Sequence, residues 1–203
     1  VVDWVRFGAS QMERSGCFYG HGFGSPWQEV RYLILRSLQL DWDVPDTALD
    51  GRLLPAEQTH LYQLLQQRCV AKIPSAYLLE EAWFFNEPFR VTADVLIPRS
   101  PIAELIHMAF EPWLTAAPES ILDLCTGSGC IGIAVAKAVP KTIVDFSEID
   151  EDHISTIKKN LEYNQINPKR SNVVHASLFS QLPHRYDFIL SNPPYIDETL
   201  NRV

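Results

Sequence analysis

The sequence predicts an α/β fold in which a parallel sheet follows a smaller helical region. From residue 120 onward, short apolar strands alternate with helices, as in βαβ units with right-handed crossovers. Earlier in the chain, apolar residues recur at helical spacing. A segment of alternating aromatic and β-branched residues lies between these two patterns. We therefore expect a helical domain over residues 1–73, a β-hairpin linker over 74–97 and a sheet domain over 98–203.

Start signals and apolar stripes predict the elements of the helical region. A first helix is expected over residues 2–13. A second begins at Ser25-Pro26-Trp27, where serine caps the helix and proline occupies its first turn. A third begins near Pro55. The apolar stripes of the second and third helices comprise Val30, Leu33, Ile34, Leu38, Leu61, Leu64, Leu65 and Cys69.

The elements after the helical region are predicted from the change in periodicity. The segments on either side of Asn86-Glu87-Pro88 predict a β-hairpin. Beyond it we expect strands over 121–124, 142–146, 172–175 and 187–190, with helices over 130–138 and 152–163. Only four strands are apparent, and the last would be an apolar edge that needs a partner. We therefore expect the 203 residues to be part of a longer protein.

Composition restricts the class of partner. The chain has 17 basic and 25 acidic residues, a net charge of −8, whereas proteins that hold duplex DNA through its phosphates usually carry the opposite sign. A basic protein partner suits this surface better, and we expect no direct DNA binding. Hydrophobic residues make up 46% of the chain and charged residues 21%, which is typical of a globular protein.

The chain also lacks the sequence signals of export, membrane spanning and metal binding. No run reaches about 18 apolar residues, so no membrane association is expected. Asp3, Arg6 and Glu13 interrupt any apolar core of a signal peptide. The four cysteines form no C-x-x-C pair and have no histidine cluster at zinc spacing, so we expect reduced thiols and no metal. These features predict a cytoplasmic location.

A glycine loop follows the first strand of the sheet domain. The residues ILDLCTGSGC run from strand through turn to helix over 121–130, and such a loop lets a ligand approach the backbone. Because Gly132 completes a G-x-G-x-x-G pattern, the loop alone is compatible with a dinucleotide or another nucleoside cofactor. Two acidic residues help to distinguish a dinucleotide from another nucleoside cofactor. Asp123 precedes the loop, where it would face a cationic ligand, and Glu148 ends the next strand, where it would accept ribose hydroxyls.

A second motif, Ser191-Asn192-Pro193-Pro194-Tyr195, follows the fourth predicted strand. Two prolines fix the loop and have no N–H groups, which leaves their carbonyls free to accept. The side-chain oxygen of Asn192 and the carbonyl of Pro193 would accept the two hydrogens of a substrate –NH2 group. Tyr195 offers a flat face to a planar amide or base. This motif would therefore hold the –NH2 group of an amide or an exocyclic amine beside the cofactor loop.

Together these motifs resemble the class I S-adenosylmethionine-dependent methyltransferases, which are Rossmann-like, and within them the protein-glutamine side-chain amide methyltransferases. The segments YGHG…PW (19–27), IPSAYL (73–78) and VLIPRSP (95–101) resemble the branch that methylates a glutamine in large ribosomal subunit protein three. The release-factor branch has an acid soon after Pro-Arg, whereas this chain continues Ser100-Pro101-Ile102. The resemblance covers nearly the whole chain and implies that residues 1–73 recognise a ribosomal protein.

The resemblance implies specific roles for the matching residues. In the cofactor site, Asp123, Thr126, Gly127 and Gly129 would line the methionine end, Glu148 would bind the ribose, and Asn192 would lie beside the cofactor. The substrate glutamine would be held by Asn192, Pro193, Pro194 and Tyr195, of which Asn192, Pro193 and Tyr195 would act in catalysis. Arg99 would position cofactor or substrate, although a salt bridge is an equal alternative. Ser177 stands where the family has an acid that contacts adenine, and its hydroxyl is a weaker acceptor.

The expected reaction is direct methyl transfer from S-adenosylmethionine to a glutamine amide nitrogen, in which positioning supplies most of the rate. Three alternatives remain open. They are a release-factor glutamine methyltransferase, an exocyclic-amine DNA methyltransferase acting on a flipped base, and a non-catalytic cofactor-binding protein that docks on the ribosome. The acidic net charge opposes the DNA enzyme, and intact motif residues oppose the docking protein.

Overall fold

A computed structural model describes residues 1–18, 22–108, 110, 113–114, 116–182 and 185–193. The chain divides into two compact units, Val1–Glu81 and Ala82–Val203. The three-part division at residues 73 and 97 stays a prediction, and the two units are described in turn.

Within the described residues the first unit contains five helices, and the starts of two of them follow local signals. The side-chain oxygen of Ser25 accepts the N–H of Gln28 at 3.3 Å, which confirms the predicted cap. In the third predicted helix, Glu57 accepts the N–H of Leu54 at 2.7 Å, just before Pro55. The helices are α1 (Val2–Ser15), α2 (Pro26–Ser37), α3 (Asp46–Leu49), α4 (Pro55–Cys69) and α5 (Ser75–Leu79).

The predicted apolar stripes of α2 and α4 form the core of this unit together with α1. Met12 of α1, Leu33 of α2 and Leu61 of α4 are almost wholly buried and lie in one cluster. An ion pair is buried beside the helices, with Arg68 Nε donating to Glu29 Oε1 at 2.7 Å. Ser75 Oγ donates to the same carboxylate oxygen at 2.7 Å, so Glu29 joins α2, α4 and α5.

As far as its residues are described, the second unit contains a two-stranded hairpin, a four-stranded sheet and three helices. The observed sheet strands and the helices between them agree with the predicted bounds to within two residues, whereas α6 was not predicted. The elements are β1 (Glu81–Phe84), β2 (Glu87–Arg90), α6 (Ile102–His107), β3 (Ser120–Leu124), α7 (Cys130–Ala138), β4 (Ile143–Glu148), α8 (Glu151–Tyr163), a 3₁₀ turn at Pro168–Arg170, β5 (Ser171–His175) and β6 (Phe188–Ser191).

The hairpin turns through two residues with positive φ. Phe85 has a φ of 52° and Asn86 a φ of 62°. Two consecutive left-handed residues are the signature of a type I′ turn, whose twist matches that of the flanking strands. The predicted hairpin between the helical region and the sheet is therefore confirmed.

The sheet order is β5-β4-β3-β6, and its strand pairs are all parallel. From β3 the chain moves outward through β4 to β5, and it then returns to the other side of β3 with β6. This reversal creates a crevice at the carboxyl ends of β3 and β6, where ligands bind in open α/β sheets. Within the described residues β6 forms one end of the sheet, and Ile189 is 46% exposed there.

Apolar residues of α7 and the strands form the core of the second unit. Ile121, Ile133, Phe146 and Ile157 are fully buried in one cluster. α7 is apolar on all sides because it lies between the sheet and its neighbouring helices α6 and α8. Among the residues described, none of the helices combines the length and apolar character that crossing a bilayer requires.

Candidate active site at the carboxyl edge of the sheet

The fold brings the two sequence motifs to the same point. Leu124 of β3 pairs with Ser191 of β6, so the glycine loop and Asn192 leave the sheet side by side. On the other side, Leu124 pairs with Ser147 of β4, and Glu148 follows immediately. The carboxyl edge therefore carries Glu148, the loop and Asn192 in that spatial order.

The glycine loop has an unusual backbone conformation that its sequence permits. Gly127 has a φ of 59° and Gly129 a φ of 84°, and Cys125 is also left-handed at 58°. A Cβ at Gly127 would meet nothing within 4 Å, so glycine is required there by its backbone angle rather than by crowding. The buried Thr126 braces the turn, because its hydroxyl donates to the carbonyl of Asp123 at 2.6 Å.

Gly132 serves the packing of α7 on the sheet. A Cβ at this position would lie 2.4 Å from Cε1 of Phe146 and 2.9 Å from Oδ2 of Asp123. The third glycine of the G-x-G-x-x-G pattern is thus explained by close contact between helix and strand, the role that this glycine has in the dinucleotide-binding fingerprint.

Asp123 is only 1% exposed, and its Oδ2 accepts the N–H of Gly132 at 2.8 Å. Burial raises the pKa of Asp123 to about 8, although the Gly132 N–H favours the carboxylate. The structure thus gives Asp123 a partner at the start of α7. Its predicted contact with the methionine end of a cofactor stays a prediction.

Glu148 organises the opposite side of the loop. Its Oε2 accepts the N–H of Gly127 at 2.8 Å, and its Oε1 accepts the N–H of Ile149 at 2.8 Å. Burial opposes ionisation of Glu148, but His153 and the N–H groups of Gly127, Ile149 and Asp150 outweigh it and lower its pKa to about 2. The carboxylate is therefore ionised, and because each oxygen has two lone pairs, Oε2 has room for one hydroxyl donor.

His153 faces the same carboxylate. Its Nδ1 lies 3.7 Å from Glu148 Oε1, and its Nε2 lies 3.0 Å from the carbonyl oxygen of Asp94. The Glu148 carboxylate raises the pKa of His153 to about 9, against the opposing effect of burial. His153 was not identified from the sequence. The available signal was its place in the first turn of α8, the helix that follows Glu148.

The predicted substrate residues lie together as far as they are described. Asn192 Nδ2 donates to the carbonyl oxygen of Arg99 at 3.4 Å, which places the Pro-Arg segment beside the Asn-Pro motif. Pro193 is exposed. Pro194 and Tyr195 lie outside the described residues. The guanidinium of Arg99 is exposed, and its role in positioning stays a prediction.

Ser177 is exposed at the far end of the edge, where its N–H donates to Ser180 Oγ at 3.0 Å. Three apolar side chains near this end are more than half exposed, namely Ile149, Leu178 and Phe179. These three residues were not identified from the sequence. The available signal was an apolar residue directly after a strand-end acid, as Ile149 is after Glu148. Apolar side chains at this position could flank a planar base.

The site therefore fits a nucleoside. An ionised carboxylate with spare acceptor capacity, a loop with glycine at residues 127 and 129, and exposed apolar residues occur along one edge. Among the described residues, no group of three or more His, Cys, Asp or Glu side chains is arranged to hold a metal ion.

Known proteins share this sequence pattern. Residues 108–202 match the family described as Methyltransferase small domain. The chain is also similar to three ribosomal protein uL3 glutamine methyltransferases over 97–98% of its length. They come from Francisella tularensis (strain SCHU S4) at 35% identity, Xanthomonas campestris pv. campestris at 39% and Bordetella pertussis at 37%. The chain is therefore similar over nearly its whole length to glutamine methyltransferases. Its second unit is accordingly a class I, Rossmann-like methyltransferase domain, as predicted.

The chain spans 64% to 66% of the length of these relatives. A solved ribosomal protein L11 methylase from Lactobacillus delbrueckii subsp. bulgaricus aligns with 51% of this chain and 51% of its own, at 19% identity and a TM-score of 0.41. That likeness is too remote to bear on function.

Proposed function

We propose that this protein transfers a methyl group from S-adenosylmethionine to the side-chain amide nitrogen of a glutamine in large-subunit ribosomal protein uL3. The observation that carries the proposal is the convergence of Glu148, the glycine loop and Asn192 at the reversal of strand order. The relatives named above act on uL3, and the acidic net charge of −8 suits a basic protein substrate in the cytoplasm.

The cofactor half of the site is assigned to the loop and Glu148. S-adenosylmethionine supplies a methyl group that is electrophilic because it is bonded to a sulfonium sulfur. Glu148 would accept a ribose hydroxyl with the remaining lone pair of Oε2. Its bond to the Gly127 N–H keeps the carboxylate in place before a ligand arrives. Ile149 and Leu178 would flank the base, and Ser177 would accept from it more weakly than a carboxylate would.

The substrate half is assigned to Asn192 and Pro193. In the structure Asn192 Nδ2 donates to Arg99, so Oδ1 is the atom assigned to accept one hydrogen of the glutamine –NH2 group. The carbonyl of Pro193 would accept the other hydrogen, and Tyr195 would face the planar amide. Two acceptors fix the nitrogen and increase its electron density, so positioning provides most of the acceleration. The proton leaves late and water accepts it, which removes the need for a strong base.

Methyl transfer with labelled S-adenosylmethionine tests the proposal. Free uL3, a release factor and duplex DNA are offered side by side, and labelled peptides are mapped by mass spectrometry. Label on a uL3 glutamine alone supports the proposal. Label on the release factor or on DNA assigns a different substrate, and no label from a protein that binds the cofactor supports a docking role instead.

Replacing Asn192 with alanine separates the two halves of the site. We expect turnover to fall by a factor of about 100 or more, because the amide nitrogen loses an acceptor that orients it. The dissociation constant for S-adenosylmethionine, measured by calorimetry, should stay within a factor of about 3. A variant that also fails to bind the cofactor would show that Asn192 belongs to the cofactor half.

A further inference from the structure

One face of α8 carries a row of residues directed at the hairpin and at the glycine loop. His153, Ile157, Asn160 and Asn164 are spaced by four, three and four residues, so they lie along one side of the helix. Asn160 is fully buried, and Asn164 is 5% exposed. Two buried amides on one helix face need partners, because an unsatisfied amide in the interior is costly.

Asn160 satisfies its amide with two separate parts of the chain. Its Oδ1 accepts the N–H of Arg90 at 2.6 Å, and its Nδ2 donates to the carbonyl oxygen of Arg90 at 3.0 Å. The same Nδ2 donates to the carbonyl oxygen of Ser128 at 2.7 Å. The partners fix the orientation of the amide, since only the oxygen can accept an N–H and only the nitrogen can donate to two carbonyls.

Ser128 stands between the two positive-φ glycines of the loop and is 3% exposed. The loop is thus held on both sides of its backbone. Glu148 accepts the Gly127 N–H, and Asn160 donates to the Ser128 carbonyl. Glycine residues have the largest conformational freedom to lose, so a loop built on them stays in one conformation only if such contacts hold it.

We propose that Asn160 is a positioning residue, which fixes the backbone of the glycine loop relative to strand β2 and so prepares the loop for its ligand. It does not touch the reacting atoms. The inference rests on the proposed function in one respect, because that function assigns the loop to the cofactor. The geometric part, that Asn160 immobilises the loop, is independent of which ligand binds.

Asn164 provides a matched control on the same helix face. Its Nδ2 donates to the carbonyl oxygen of Pro88 at 2.9 Å and to the carbonyl oxygen of Asn160 at 3.1 Å. It therefore ties α8 to β2, as Asn160 does, but neither of these two bonds reaches the loop. If Asn160 served only to attach the hairpin, the two alanine variants would behave alike.

The experiment compares Asn160→Ala, Asn160→Asp and Asn164→Ala in the full chain. Amide hydrogen exchange of peptides covering residues 125–132 is measured without ligand, and S-adenosylhomocysteine binding is measured by calorimetry. Asn160→Asp retains an acceptor for the Arg90 N–H but offers at most one hydrogen where the Asn160 amide donates to two carbonyls, so it should resemble Asn160→Ala in the loop. We expect both variants to increase loop exchange and to weaken binding roughly 10-fold or more. Asn164→Ala should leave both values within a factor of about 3.

The outcomes separate this inference from the proposed function. Equal loop exchange and affinity in the Asn160→Ala and Asn164→Ala variants would overturn the positioning role. Loop exchange unchanged from the parent protein in Asn160→Ala would overturn it as well. Faster loop exchange in Asn160→Ala, combined with a parent protein that itself binds no S-adenosylhomocysteine, would support the positioning role and refute the proposed cofactor.

Discussion

Replacing Gly132 with alanine sets two physical effects against each other. Alanine is favoured over glycine in a helix interior by about 0.5–1 kcal/mol, so propensity alone predicts a more stable protein. The structure predicts the opposite, because the new Cβ would lie 2.4 Å from a ring carbon of Phe146 and 2.9 Å from Asp123 Oδ2. Phe146 is fully buried and cannot move aside freely. Overpacking of this kind costs about 1–3 kcal/mol, so we expect a net loss of about 1–2 kcal/mol.

Urea unfolding followed by circular dichroism measures this change, and amide exchange of β3 and α7 peptides assigns the transition to the second unit. Ala138→Gly is the control in the same helix, because Ala138 is exposed and reports propensity without crowding. It should destabilise by no more than about 1 kcal/mol. A Gly132→Ala protein that is as stable as the parent, or more stable, would refute the packing argument.

Three further changes test the charged groups. Glu148→Gln places an –NH2 group against one of the backbone N–H donors, so cofactor affinity should fall roughly 10-fold or more in calorimetry. Because the pKa of His153 is raised in the folded state, its protonation contributes to the stability of the fold. This contribution is complete below pH 6.5 and is lost as the pH rises towards 9. In urea titrations we expect the free energy of unfolding to fall by up to about 3 kcal/mol over this pH range. The His153→Gln variant should show no such fall. Glu29→Ala leaves the guanidinium of Arg68 buried without its carboxylate partner, which should cost the first unit about 3–5 kcal/mol in thermal unfolding; Glu29→Gln should cost less.

The sheet and its loop motifs could be predicted because their signals are local. The helix over residues 130–138 was predicted to the residue, since a glycine loop precedes it and an apolar run defines it. The short helices α3 and α5 had no stripe long enough to detect. The type of turn at Phe85-Asn86 was likewise not apparent, because phenylalanine is an unusual residue at positive φ.

The bond between Asp123 and Gly132 and the contacts of Asn160 could not be predicted, for two different reasons. Residues of a central parallel strand are buried on both faces, so alternation does not reveal which face a side chain occupies. Asn160 contacts Arg90 and Ser128, which are 70 and 32 residues away in sequence. No local pattern encodes such a contact, and a polar residue on a helix is ordinarily interpreted as facing solvent.

The order of the strands also has a consequence for the sequence of events in folding. The bond that joins Gly127 to Glu148 spans 21 residues, and the β3-α7-β4-α8 segment is continuous in the chain. The pairing of β6 with β3 closes a loop of 67 residues, as the bond between Ser191 and the Leu124 carbonyl illustrates. Contacts of short separation form sooner than those of long separation, and synthesis proceeds from the N-terminus. We therefore expect the edge that would hold the nucleoside to take shape before β6, which delivers Asn192, pairs with β3.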